Sequence, residues 1–95
     1  MFEQYPIQPK RLKDLTGFGP RSEEILAEVD IHSVEDFMAI DPYTLYAKIK
    51  PMKGMGLNSI YAILGARENI SWIEIKNTRK GEILMRLDDM GLAPK

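Results

Sequence analysis

The chain has 95 residues, 44% of them hydrophobic and 28% charged, with no cysteine and a formal net charge of −1. That composition suits one globular domain with a small core of its own, and it excludes wholesale disorder, disulfides and a thiolate metal centre. The near-neutral balance also excludes a protein that coats nucleic acid through bulk positive charge, because such affinity comes from phosphate neutralisation.

Met1 to Pro9 contains two prolines and the apolar side chains Phe2, Tyr5 and Ile7, which suits an extended arm, residues 1–9, ahead of a single helical domain over 10–95. The apolar groups of the arm need cover, either from the domain or from a partner. Leu12 and Leu15 are spaced for a short helix that Pro9 can start. Leu15-Thr16-Gly17-Phe18-Gly19-Pro20-Arg21-Ser22 follows: two glycines around one apolar residue, then a proline at the first position of the next helix. Glycine permits the positive φ of a tight turn, and proline at N1 gives up an amide that has no intrahelical partner. This pattern predicts a helix–hairpin–helix unit, with its second helix over about 20–29 through Ile25, Leu26 and Val29. Phe18 is expected in the groove between the two helices.

Ser33 and Asp36 predict a capped short helix that turns Val34, Phe37 and Met38 inward. Asp41-Pro42 predicts another start, opening a helix with Leu45, Tyr46 and Ile49 inside, which ends at Pro51 because proline disfavours a helical residue before it and supplies no amide. Lys53-Gly54-Met55-Gly56-Leu57-Asn58-Ser59 then repeats the glycine–apolar–glycine core at a constant offset of 37 residues, Gly17 to Gly54. The offset also carries Leu12 to Ile49, Lys13 to Lys50, Leu15 to Met52, Ser22 to Ser59 and Leu26 to Ile63. Such a gapless repeat predicts two hairpins packed back to back. Leu57 to Arg67 reads as a helix facing inward through Ile60, Ile63 and Leu64, with Gly65 tolerable only if a neighbour packs on its bare backbone. Trp72 and Ile75 are expected in a linking turn. A last helix is expected from Asn77 or Thr78, burying Ile83, Leu84 and Leu87, pairing Glu82 with Arg86 outside and ending at Gly91. With no strand-period alternation, the fold class is all-α: a small single-domain bundle of about five or six short helices with tandem helix–hairpin–helix-like turns.

Several stretches resemble the C-terminal domain of the TfoX/Sxy regulators of bacterial competence. They are Leu12-Lys13-Asp14-Leu15, Ile31 to Phe37, and the Leu57 to Ala66 run followed by Trp72, which come in that order from about Arg11 onward. The resemblance implies a small helical domain and a part in competence-gene transcription beside an activator of the cyclic-AMP receptor type. Two departures stand out. Longer members carry a separate N-terminal domain, for which this chain has no room, and Asp30 occupies a position where glycine is common.

The free amides at the start of a helix can receive a phosphate. From Pro42 to Arg67 there is no acidic residue, while Lys48, Lys50, Lys53 and Arg67 are basic. The expected nucleic-acid contacts are therefore Gly17, Gly19, Arg21 and Ser22 at the first hairpin, and Lys48, Lys50, Lys53, Gly54, Gly56, Asn58 and Ser59 at the second. DNA or RNA backbone is the first expected partner. The alternative is a protein-interaction module that recruits a transcription-factor partner, or that self-associates through Met1 to Pro9. No catalytic set, metal site or cofactor is expected. His32 is a lone histidine, and Glu23, Glu24 and Glu28 read as the solvent face of a helix. Tyr43, Tyr46, Tyr61 and Trp72 read as core more than as base-stacking platforms, and Met52 and Met55 as gap-fillers or adaptable contacts. No apolar run reaches membrane-spanning length and no signal-peptide core precedes the domain, so the expected location is cytoplasmic.

Overall fold

In a computed structural model the described residues are 11–52 and 56–92. Among them the chain forms a 3-10 turn at Leu12–Asp14 and five helices: α1 Pro20–Ala27, α2 Val34–Ala39, α3 Pro42–Ile49, α4 Asn58–Glu68 and α5 Trp72–Asp89. No strand occurs among these residues, and none of the helices is long and apolar enough to cross a membrane. Met1 to Lys10, Lys53 to Met55 and Ala93 to Lys95 lie outside the described residues, and with them the arm and part of the second glycine turn.

Each start is set by a local device. Gly19 is the N-cap of α1, with Pro20 at N1, and its amide donates to Ser22 Oγ at 3.4 Å. Ser33 Oγ accepts the Asp36 amide at 3.0 Å, while the Asp36 carboxylate accepts the His32 amide at 3.2 Å, so donors on both sides of the α2 start are satisfied. Asp41 caps α3 by accepting the Thr44 amide at 2.9 Å.

Three helices end on a left-handed residue, and α1 and α5 do so with an apolar pair closing the turn. Asp30 sits in the left-handed region at φ 66°, and the next amide, from Ile31, returns to Leu26 O at 2.9 Å. Gly91, at φ 74°, is followed by the Leu92 amide returning to Leu87 O at 2.8 Å. In both cases the two residues joined are apolar, which is the Schellman arrangement. Asp30 therefore takes the conformation that makes glycine common at its position, and a short polar side chain tolerates it better than most. Pro51 ends α3 by one of the two effects expected of it. Lys50 stays helical, at φ −52° and ψ −41°, and donates to Tyr46 O, so the missing proline amide alone stops the helix.

α4 buries Ile60, Tyr61, Ile63, Leu64, Gly65 and Ala66. A helix apolar nearly all round belongs in the middle, and α4 packs most extensively on α5 and then on α3. Gly65 has the neighbour its place in a helix required: a Cβ there would lie 2.6 Å from Ile70 O and 3.2 Å from the Trp72 amide nitrogen. The last helix starts at Trp72, five or six residues earlier than the expected Asn77 or Thr78. Asn69, left-handed at φ 61°, closes α4 and reverses the chain, and Ser71 then caps α5 by accepting the Ile73 amide at 3.2 Å. Trp72 and Ile75 are thus helical, with Ile75 fully buried beside Ile83 and Leu87 in the core. Leu84 is only half-buried. The expected Glu82–Arg86 pair is replaced by other contacts. Arg86 lies over the Tyr43 ring, 4.7 Å from its centre, and Glu82 lies 3.6 Å from Arg79, which also binds Glu68 at 2.6 Å. A cation over a buried ring gains attraction that an exposed pair does not.

Candidate nucleic-acid interface at the two hairpins

At the first hairpin the turn closes when the Phe18 amide donates to Leu15 O at 2.9 Å, and Gly17 takes φ 81° to allow it. Phe18 does turn inward. It meets Phe37 edge to face with ring centres 5.4 Å apart. The hydroxyl of Thr16 donates to the side-chain oxygen of Asn69, tying the turn to the end of α4. At the helix start Gly19 O accepts from Ser22 at 3.0 Å and Glu23 at 3.3 Å. The second hairpin repeats the first of these bonds 37 residues on, where Gly56 O accepts from Ser59 at 2.9 Å, while Ile60 turns to Leu57 O at 3.1 Å and Leu57 is the N-cap of α4.

Gly19 and Gly56 are equivalent in the repeat, and neither is demanded by the fold. Gly19 has an extended φ of −151°, neither glycine is in the left-handed region, and a Cβ at either would meet no atom of the described residues within 4 Å. Backbone at both helix starts is therefore open to close approach from outside the domain. Beyond them the two halves face each other. A cleft of about 170 Å³ is lined by Gly17, Phe18, Ser22, Ile25 and Leu26 from the first unit and by Ile49, Ser59, Ala62 and Ile63 from the second. Ser22 and Ser59, Ile25 and Ala62, and Leu26 and Ile63 are repeat-equivalent pairs, so the cleft runs along the relation between the hairpins. The serines were singled out from sequence. The apolar wall was not, although the same 37-residue offset applied to Ile25 and Leu26 reaches it.

The expected cations divide into two groups. Arg21 and Lys48 are exposed. Lys50 is half-buried and donates to Leu92 O at 3.2 Å, which ties the end of α3 to the chain beyond α5. Arg67, inside the same acid-free window, donates to Ile40 O at 3.1 Å and Phe37 O at 3.5 Å, and so finishes α2. Lys53 and Gly54 lie outside the described residues, and Asn58 is exposed at the first position of α4.

One anion already sits beside the first hairpin. Glu23 receives two hydrogen bonds from Arg11, at 2.7 and 3.1 Å, and a third from the Lys13 amide at 3.4 Å. The Arg11 hydrogen bond holds the Glu23 carboxyl below the usual carboxylate range and raises Arg11 in turn. Sequence reasoning placed Glu23 on a bare solvent face and missed this pairing, which joins residues in two different elements. Tyr43, Tyr46 and Tyr61 are buried and offer no face to a base. His32 Nε2 lies 3.8 Å from Asp30 on the exposed surface, and among the described residues no three histidine, aspartate or glutamate side chains converge as a metal set.

Residues 8–87 match the family model of the TfoX C-terminal domain. Nothing among curated proteins or solved structures matches the chain.

Proposed function

Starting from a chain that belongs to the TfoX C-terminal domain family, we propose that it is a non-enzymatic regulatory module that contacts nucleic-acid backbone through both hairpins. The observation that carries this reading is the pair Gly19 and Gly56. Both stand at helix starts, both leave the backbone open where neither conformation nor packing asks for glycine, and the hydroxyl-bearing residues one turn on line the same cleft. Helix starts attract phosphate through their amides and dipole; exposed Arg21 adds charge in the first turn of α1, and Lys48 is an exposed cation at the end of α3. Contacts of this kind position a protein on a duplex without reading its sequence, so the module supplies attachment and leaves promoter choice to another factor. The resemblance to regulators of competence is what supports setting that attachment in transcription.

The test is fluorescence anisotropy on a labelled duplex at two salt concentrations. Two hairpins holding one or two phosphates each give a slope of log K against log salt of about −2 to −4. The double substitution Arg21→Glu with Lys48→Glu is expected to abolish binding and leave helicity unchanged, since exposed charges contribute little to the fold. Lys50 is unsuited to this test because of its bond to Leu92 O. No binding at low salt, or binding without a salt slope, sinks the reading.

A further inference from the structure

We infer that the cleft between the hairpins is a receptor for one unpaired pyrimidine base, taken from a strand whose phosphates lie at the two helix starts. The inference rests on the backbone contacts proposed above and adds what the strand must offer between them. The cleft's volume is about 170 Å³, beside roughly 150 Å³ for an engineered cavity that takes up one benzene. It therefore has room for a single aromatic ring. Its wall is mostly apolar through Phe18, Ile25, Ile49 and Ile63, and Phe18 supplies an aromatic ring of its own. Phe18 is held by its edge-to-face contact with Phe37, so an entering ring meets it already oriented. Ser22 Oγ accepts from the Gly19 amide and keeps its own hydrogen to give to an acceptor on a base edge. A flat ring with polar atoms on its rim suits this wall, and nucleobases are such rings.

Charge around the cleft selects a ring that carries an anion. The second wall, Ile49, Ser59, Ala62 and Ile63, lies entirely within the stretch from Pro42 to Arg67 that has no acidic residue. On the first wall Ser22, Ile25 and Leu26 share one face of α1, and Glu24 and Glu28, each two places from Leu26, fall on the opposite face. Glu23 stands nearer, and Arg11 neutralises it with hydrogen bonds at 2.7 and 3.1 Å. Arg21, next to Ser22, is exposed. An apolar peptide side chain satisfies the wall and leaves this balance of charge without a use. A nucleotide satisfies both, because its base is tied to phosphate. Gly17 and Ser22 belong to the cleft and also to the turn and helix start of the first hairpin, so the site is continuous with the backbone contacts. A strand gripped at both hairpins carries its base across the gap between them. In an intact duplex that base is paired and stacked, and extracting it costs free energy that an unpaired base does not. The module accordingly favours a duplex with an unpaired pyrimidine over an intact one.

Fluorescence anisotropy with the full-length chain compares labelled DNA duplexes of one sequence: intact, with a bulged thymidine, with a bulged abasic site and with a bulged adenosine. The thymidine bulge is expected to bind about tenfold more tightly than the intact duplex, the scale of one base stacked on an aromatic side chain. The abasic bulge has no ring and is expected to bind as the intact duplex does, and adenosine to gain less than thymidine. Ala62→Phe, which fills the cleft from its half-buried second wall, is expected to erase the thymidine gain while the salt slope persists. NMR on the methyl-labelled wild type needs no variant to fold: the methyls of Ile25, Ala62 and Ile63 are expected to shift with the thymidine bulge and not with the abasic one. Equal affinity for all the duplexes, with the salt slope present, overturns this inference and leaves the backbone reading standing. A gain from the abasic bulge as large as that from thymidine, or an equal gain from adenosine, overturns it too. Binding to none of the duplexes overturns both. A dimer of the free protein that Ala62→Phe turns into a monomer gives the cleft to a second copy and also overturns the inference.

Discussion

Replacing Gly65 with alanine sets two effects of opposite sign against each other. Inside a helix the change ordinarily gains about 1 kcal/mol, because alanine loses less backbone freedom on folding. Here the new Cβ would lie 2.6 Å from Ile70 O, against about 3.4 Å for ordinary contact, so the carbonyl must retreat by about 0.8 Å. That carbonyl cannot yield freely. It sits between left-handed Asn69, which closes α4, and Ser71, which caps α5, and the Ile70 amide is bonded back to Gly65 O at 2.9 Å. Forcing extra volume into such a place costs about 1–3 kcal/mol, so after the propensity gain the net expectation is a loss of up to about 2 kcal/mol. For a domain of this size that lowers Tm by up to roughly 15 °C. Gly81→Ala is the matched control. It too is inside a helix, but its Cβ meets nothing within 4 Å, so it should gain the full propensity term of about 1 kcal/mol. Urea unfolding followed by circular dichroism gives both values. If Gly65→Ala stabilises as Gly81→Ala does, the close approach of the α4–α5 turn to Gly65 is wrong.

Two further outcomes follow from the core tyrosines. The Tyr61 hydroxyl is buried and has no hydrogen-bond partner among the described residues, so Tyr61→Phe removes a desolvated group worth about 1–3 kcal/mol. Part of that is offset by lost contact, and stability by urea unfolding should be unchanged or up to about 1 kcal/mol higher; a clear loss would reveal a partner for the hydroxyl. Burial also raises the ionisation of Tyr43, Tyr46 and Tyr61 above the usual tyrosine value. The folded state therefore holds these protons more tightly than the unfolded chain, so stability is full below pH of about 10 and is lost as pH rises past it. Unfolding titrations from neutral to strongly alkaline pH should show that decline, and a flat profile would contradict their burial.

Most of the fold was legible because its signals are local. The proline and serine starts of α1, α2 and α3, the glycine stop at Gly91 and the apolar periodicity of α4 all act within one turn. The start of α5 was hidden because an asparagine in the left-handed region, not a glycine or proline, makes the break before it. The repeat predicted two equivalent hairpins, and it also contained the cleft, since residues at one offset line both walls. What no local pattern shows is how a charge is used. Lys50 and Arg67 read as part of a basic surface, yet each finishes the carbonyl end of a distant segment, across 42 residues for Lys50 and 30 and 27 for Arg67. A cation's destination depends on which chain end arrives beside it, and that is decided by packing.

The division of the molecule along the cleft has a consequence for its breathing. α1 packs chiefly on the 3-10 turn before it, whereas α3, α4 and α5 form one continuous stack. The edge contact of Phe18 with Phe37 and the Thr16–Asn69 hydrogen bond join the buried Leu12, Leu15 and Leu26 as ties across the gap. The first hairpin is therefore suited to open as a unit while the stack stays closed, and amides of 12–27 should exchange with solvent at a lower free energy than those of α4 and α5. Whatever grips both hairpins at once also shuts that opening, so part of its binding energy is spent on ordering the first hairpin. A ligand confined to the second hairpin bears no such cost.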